Sequence, residues 1–249
     1  MSIVSRERSN RAVTVNADLA TLQKELRAVA DPARVMALQR YFKTGAGEYG
    51  EGDRFLGLRV PQVRALARKY RTIDSKATRT LLHSPWHEER LLALLIMMDQ
   101  YRTGARGERT AVYRTYLAST AFINNWDLVD VSAARIVGAQ LYPGGRATLD
   151  RLARSSSVWE RRIAIMATGH WIEQREFGPT LRLAKRLLHD EHDLIHKAVG
   201  WMLREVGKRD RVAEERFLLE HAPAMPRTML RYAIEHFPER RRQHFLRLR

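Results

Sequence analysis

The chain has 249 residues and a formal net charge of +16, from 44 Lys and Arg against 28 Asp and Glu. It has no cysteine, which excludes disulfides, a thiolate nucleophile and Cys-ligated zinc. Its length allows one large domain or an array of small units. Its charge predicts a polyanionic partner, with nucleic acid ahead of an anionic membrane surface because neutralised phosphates release counterions.

Residues 1–15 are polar and rich in Arg and Ser, and read as a flexible basic arm; 16–249 read as a single domain. The start lacks the apolar core of a secretory signal, and no run approaches the roughly 18 apolar residues of a membrane span. The expectation is a soluble, cytoplasmic protein that works on the nucleoid. From Asp18 the apolar residues Leu19, Leu22, Leu26 and Val29 fall at helical spacing, and a second helix spans about Val35 to Phe42. The glycines of the 45–53 loop preclude a stable helix, and its three acids lack EF-hand spacing. A mobile connector is expected there. Phe55-Leu56-Gly57-Leu58 leads to Pro61 and a helix through Tyr70. Further helices are predicted near 74–83, 86–102, 108–120, 125–141, 146–154, 158–173, 178–188, 192–207, 210–221 and 226–236. Nothing alternates as strands do.

Trp86-His87-Glu88-Glu89-Arg90-Leu91-Leu92-Ala93 is echoed by Trp159-Glu160-Arg161-Arg162-Ile163-Ala164, and more faintly around Ala198 and Ala134. Ala93, Ala134, Ala164 and Ala198 thus recur at spacings of 41, 30 and 34 residues, the range of two-helix repeats. The fold class expected is all-α, an α-α superhelix (solenoid) of helix pairs with a concave face able to cradle an extended partner. Trp86 and Trp159 occupy matching places and read as packing residues.

The stretch that concentrates chemistry is Asn124-Asn125-Trp126-Asp127-Leu128-Val129-Asp130. An Asn serves as helix N-cap, and Asp127 suits the positive end of the macrodipole. Asp130 lies a turn further in, on one face with Trp126. On a later helix Lys197, Trp201 and Arg204 share a face, cations and an indole interleaved as on a nucleic-acid surface. Arg161 and Arg162 oppose the macrodipole at their helix start, which favours a partner anion or an internal carboxylate such as Asp130. His192 and His196 are a weak metal pair. There is no P-loop, dinucleotide fingerprint or HExxH, so no cofactor or metal is expected.

Four segments together resemble the AlkD-type DNA alkylation repair glycosylases: Phe55-Leu56-Gly57-Leu58-Arg59-Val60-Pro61, Trp126-Asp127-Leu128-Val129-Asp130, Trp159 to Ile165, and Lys197 to Glu205. The resemblance spans about 35 to 237 and implies a superhelix of HEAT-like repeats. It further implies excision of cationic N3- and N7-alkylated purines from double-stranded DNA, without deep base flipping; a concave face that wraps a duplex suggests a monomer. Carried over by motif, the catalytic acid matches Asp130, and the two indoles against the lesion's sugar match Trp126 and Trp201. Arg162 is the arginine beside them, Tyr41 an N-terminal aromatic near DNA, and Arg64 a basic position after the Pro61 motif. Arg161, Lys197 and Arg204 complete the expected DNA contacts. The glycine-rich loop at 45–54 departs from the family pattern. Some relatives bind unusual or branched DNA without excision, which is the alternative.

Overall fold

Apolar residues three and four apart draw this chain into helices, and the helices stack in two rows. The computed structural model describes residues 18–248, so the expected arm at 1–15 lies outside the described residues. The order begins with α1 (Leu19–Ala28), α2 (Val35–Tyr41), α3 (Val60–Lys69), α4 (Ser75–Leu82), α5 (His87–Thr103) and α6 (Arg106–Ala118). Next, α7 (Trp126–Ala133) runs through a wide π turn, Ala134–Gly138, into α8 (Ala139–Leu141). The remainder is α9 (Arg146–Leu152), α10 (Val158–Ala167), α11 (Gly169–Glu173), α12 (Gly178–Arg186), α13 (Asp193–Gly207), α14 (Arg211–His221), α15 (Arg227–Ala233) and α16 (Glu239–Arg247).

Helices α3, α5, α7, α10, α13 and α15 pack each against the next, and α4, α6, α9, α12 and α14 pack against them as a second row. This is the helical-repeat superhelix expected from the echo. Ala93, Ala164 and Ala198 are fully buried on α5, α10 and α13 of the first row, where a small side chain lets helices approach closely, and Ala134, just after α7, is partly buried. Among the described residues there is no strand, only an isolated bridge from Arg54 to Trp86. No helix among them is long and apolar enough to cross a membrane.

Three local features depart from the sequence reading. The helix expected over 158–173 breaks at Thr168, whose hydroxyl donates to the Ile165 carbonyl at 2.7 Å and tightens the turn before Gly169. An unexpected helix, α16, forms from the arginine-rich end, because Phe245 supplies one fully buried anchor against Phe237. The 45–53 loop is fastened rather than a free connector. Glu48 and Glu51 accept backbone N–H groups of Gly45 and Gly47 at 2.9 Å, and Asp53 is buried. The loop's acids are therefore occupied by the protein itself.

The run His87-Glu88-Glu89-Arg90 looks like a solvated helix start but is buried throughout. Each charge has a partner, as burial demands. Glu88 accepts the N–H groups of Leu56, Gly57 and Leu58 at 2.9, 2.9 and 3.2 Å. Gly57 sits at φ +92, and a Cβ there would meet the Asp31 carbonyl at 2.0 Å, so this turn admits only glycine.

Glu214 of α14 is a buried acid of another kind: its Oε1 has no hydrogen-bond partner, and burial pushes its carboxyl up to about 8. The folded state therefore holds a proton that the unfolded chain releases near 4.5. Stability from this group is full below that value and is lost as pH rises toward 8. Glu214→Gln, which fixes the neutral form, is expected to flatten that loss and to raise the melting temperature at pH 8.5 but not at pH 4.5. Thermal unfolding at both pH values checks this.

Candidate functional site

The site begins with a cap. The Asn125 side chain accepts the Trp126 N–H at 2.9 Å and starts α7, while its amide donates to buried Asp53 at 3.3 Å. The first turn of α7 is held by His87, whose Nε2 lies 2.9 Å from Asp127 and whose Nδ1 lies 3.0 Å from Asp53. Arg90 also binds Asp53, at 2.5 Å. Desolvation alone would lower the His87 pKa, but the two carboxylates prevail and raise it to about 9. Asp127 thus does more than complement the macrodipole: it pairs with an imidazolium that ties α7 to α5 and to the end of the loop.

One turn on, the Asp130 carboxylate receives a two-pronged grip from Arg162, Nε to Oδ1 at 2.8 Å and Nη2 to Oδ2 at 2.7 Å. The remaining Arg162 nitrogen donates to the Leu194 carbonyl at the start of α13. A single guanidinium thereby stitches α7, α10 and α13 together, and all three of its nitrogens have protein acceptors. This is the internal-carboxylate arrangement that the sequence left open. Burial pushes the Asp130 carboxyl above its ordinary value, with the Arg162 charge opposing it. Its side chain keeps 13% exposure against 5% for Arg162. The open edge faces a cleft of about 270 Å³ lined also by Trp201, Met202, Gly169, Glu205 and Arg135.

Trp201 and Asp130 therefore share one cleft. Trp126 stands at the start of the same helix face, half-buried, with Phe42 stacked at 5.4 Å and Tyr41 edge-on at 5.7 Å. Tyr41 is 62% exposed beside it. The cleft adjoins a larger one of about 940 Å³ through Arg135, which lines both. Five arginines line the larger cleft, Arg64, Arg68, Arg71, Arg102 and Arg135, with Asp99 as its one acid. Asp99 is paired with Arg102 at 2.6 Å, while Arg64, Arg68 and Arg71 have no acidic partner among the described residues. Arg64 thus lies in a cationic groove with its positive charge uncompensated.

The other expected contacts are placed differently. Arg161 is turned inward, to Asp190 at 2.6 Å and to the Ser155 and Ser156 carbonyls. Arg204 pairs with Glu235, and Lys197 with Asp193 at 2.7 Å, although Lys197 remains 39% exposed. The Trp201 indole donates to Glu205 at 3.2 Å, so an acid rather than a cation is its nearest polar neighbour. His192 caps α13 and His196 bonds the Asp190 carbonyl, so both members of the weak metal pair have structural partners. Sequence reasoning missed His87 and Arg135, which gave no signal.

The comparisons with known proteins agree with this architecture. The family model for DNA alkylation repair enzymes matches residues 22–237. A solved structure described as a predicted DNA alkylation repair enzyme from Enterococcus faecalis superposes with a TM-score of 0.64 at 16% identity, covering 84% of this chain and 97% of that one. At that identity the likeness speaks for the fold. No curated protein matches the chain. Because the matched span covers most of the sequence, the chain belongs to the DNA alkylation repair enzyme family.

Proposed function

We propose that the protein is a DNA glycosylase that hydrolyses the N-glycosidic bond of cationic N3- and N7-alkylated purines in duplex DNA. One observation supports the reading: a carboxylate held by Arg162 and open along one edge lies beside Trp201, in a cleft that shares Arg135 with a groove of arginines. The arginine groove suits phosphates, which supply affinity without sequence preference. The carboxylate suits positive charge.

An alkylated purine is already cationic and leaves without a general acid. As the C1′–N bond breaks, its electron pair departs with the purine and positive charge appears on the sugar. Asp130 stabilises that charge and orients a water, which adds to C1′ and gives up its proton to the carboxylate. Trp126 and Trp201 add cation–π attraction of roughly 0.5–2 kcal/mol each. Arg162 acts from behind, fixing the carboxylate's orientation, so its role is to position the acid rather than to bind phosphate. Such a site selects for charge, and neutral lesions are expected to be poor substrates.

The direct test incubates the protein with DNA containing 7-methylguanine and measures free base. Release confirms the reading. Binding that prefers branched or bulged DNA, with no release from any substrate, replaces it with the non-catalytic alternative.

A further inference from the structure

Trp201 and Glu205 are four residues apart on α13, so they share a face, and both line the cleft that holds Asp130. The indole Nε1–H donates to Glu205 Oε1 at 3.2 Å. An indole has no other hydrogen-bonding group, so Glu205 takes its single donor. Glu205 is itself gripped from the turn that follows α13. Lys208 Nζ donates to the same Oε1 at 2.6 Å. Arg209 Nη1 donates to Oε2 at 3.2 Å and to the Glu205 carbonyl at 3.1 Å. The Arg209 carbonyl accepts in turn from Arg175, just beyond α11, at 3.3 Å. Burial would raise the Glu205 carboxyl, but the Lys208, Arg209 and Trp201 donors prevail and hold it below its ordinary 4.5.

The backbone on either side of Trp201 is also seated. A Cβ on Gly200 would meet the Met229 carbonyl at 2.4 Å and the Tyr232 Cβ at 2.5 Å, so α13 lies directly on α15 there. Met202, the residue after the indole, is buried and lines the same cleft. What remains free is rotation of the indole about its own side-chain bonds. That rotation matters for a cation, because an aromatic ring has a negative face and a positive edge. One negative charge facing two positive ones adds no net negative field to the cleft. Orientation is therefore what Glu205 contributes.

From these contacts we propose that Glu205 is a positioning residue whose carboxylate fixes the rotation of the Trp201 indole, with Lys208 and Arg209 as its clamp. The effect on rate rests on the glycosylase reading; the effect on the indole does not.

The test uses the full chain with Glu205→Met, which removes the acceptor, and Glu205→Gln, which keeps an acceptor oxygen without the charge. Two quantities are read: single-turnover base release at saturating 7-methylguanine DNA, and water exchange of the Trp201 indole proton by NMR, assigned with Trp201→Phe. Loss of the bond predicts release about tenfold slower in Glu205→Met, with faster indole exchange. Glu205→Gln should recover release to within about twofold of wild type and restore slow exchange. In a Trp201→Phe background, which keeps a ring but no N–H, Glu205→Met should cost less than about twofold more. Unchanged release or unchanged exchange in Glu205→Met overturns the proposal. So does an equal loss in Glu205→Gln, which would assign the effect to charge. An undiminished loss in the Trp201→Phe background overturns it too, because the effect would then bypass the indole. Glu205→Ala stands in if Glu205→Met does not fold, and failure of both to fold makes Glu205 a structural residue instead. If the wild type releases no base, the glycosylase reading fails and exchange alone decides: fast in Glu205→Met and slow in Glu205→Gln sustains the clamp, and any other pattern overturns it.

Discussion

Asp130→Asn is expected to slow base release from 7-methylguanine DNA about a thousandfold while leaving duplex binding intact. A carboxylate about 4 Å from a developing positive charge, at an effective dielectric of about 20, interacts by roughly 4 kcal/mol. Fully expressed in the transition state, that is about three powers of ten. The amide keeps the shape and one acceptor for Arg162 but lacks the charge. Binding should hold or tighten, because the lost charge is negative and the partner is an anion. The substitution also leaves the Arg162 guanidinium buried without its counter-charge, which is expected to destabilise the fold by about 3 kcal/mol. Release is therefore measured well below the variant's own melting temperature, with circular dichroism confirming the helices. Release at the wild-type rate would remove Asp130 from the chemistry. Because burial raises the Asp130 carboxyl above its ordinary 3.8, the wild-type rate should fall on acidification at a pH above that value, where the acid takes up its proton.

The second large effect belongs to His87, and it is an effect of pH on the fold. The imidazole is 2% exposed between Asp53 and Asp127, and its pKa rises from 6.5 to about 9. The folded state thus binds this proton more tightly than the unfolded chain does. The stabilisation is complete below pH 6.5 and is lost as pH climbs through about 9. A shift of that size corresponds to about 3 kcal/mol. For a chain of this length it is worth roughly 6–12 °C in melting temperature. Thermal unfolding from pH 6 to pH 10 should show that decline in the wild type and in Glu214→Gln. His87→Gln should be less stable at pH 6 and, once Glu214 has lost its proton, nearly flat above about pH 8. An equal alkaline decline in His87→Gln would mean that the imidazole is not the titrating group. Since His87 holds the first turn of α7, base release should weaken over the same alkaline interval.

Much of this architecture was legible before any coordinates. Apolar spacing reported where the helices lie, because a helix that buries Leu22 and Leu26 must repeat that interval. Recurring alanines reported the stacking, because close helix approach requires small side chains. The pairing of Trp126 with Asp130 followed from helical geometry alone. What stayed hidden depends on contacts between distant segments. Arg161 and Arg162 are neighbours of identical type, yet one turns to Asp190 and the other to Asp130. Nothing local distinguishes them. Asp53 reads as a loop acid among glycines, but folding places it beside His87 and Arg90, whose positions it shares through space only. Local composition likewise made the 45–53 segment look slack, although its own acids tie its glycines and its end at Asp53 is held by residues more than thirty positions away.

The wide turn at Ala134–Gly138 bears on how such a protein can change over time. Asp130 and Ala139 are nine residues apart, about two and a half turns of a regular α-helix, which would set them on opposite sides. The looser winding absorbs part of that half-turn, and Ala139 lines the arginine groove that meets the acid's cleft at Arg135. Deleting one residue within this stretch would wind the helix back to its regular pitch and swing everything after it around the axis. Each component would survive, but the arginine groove and the carboxylate cleft would no longer open toward the same side. The count of residues between those two points therefore sets how the groove and the cleft face each other.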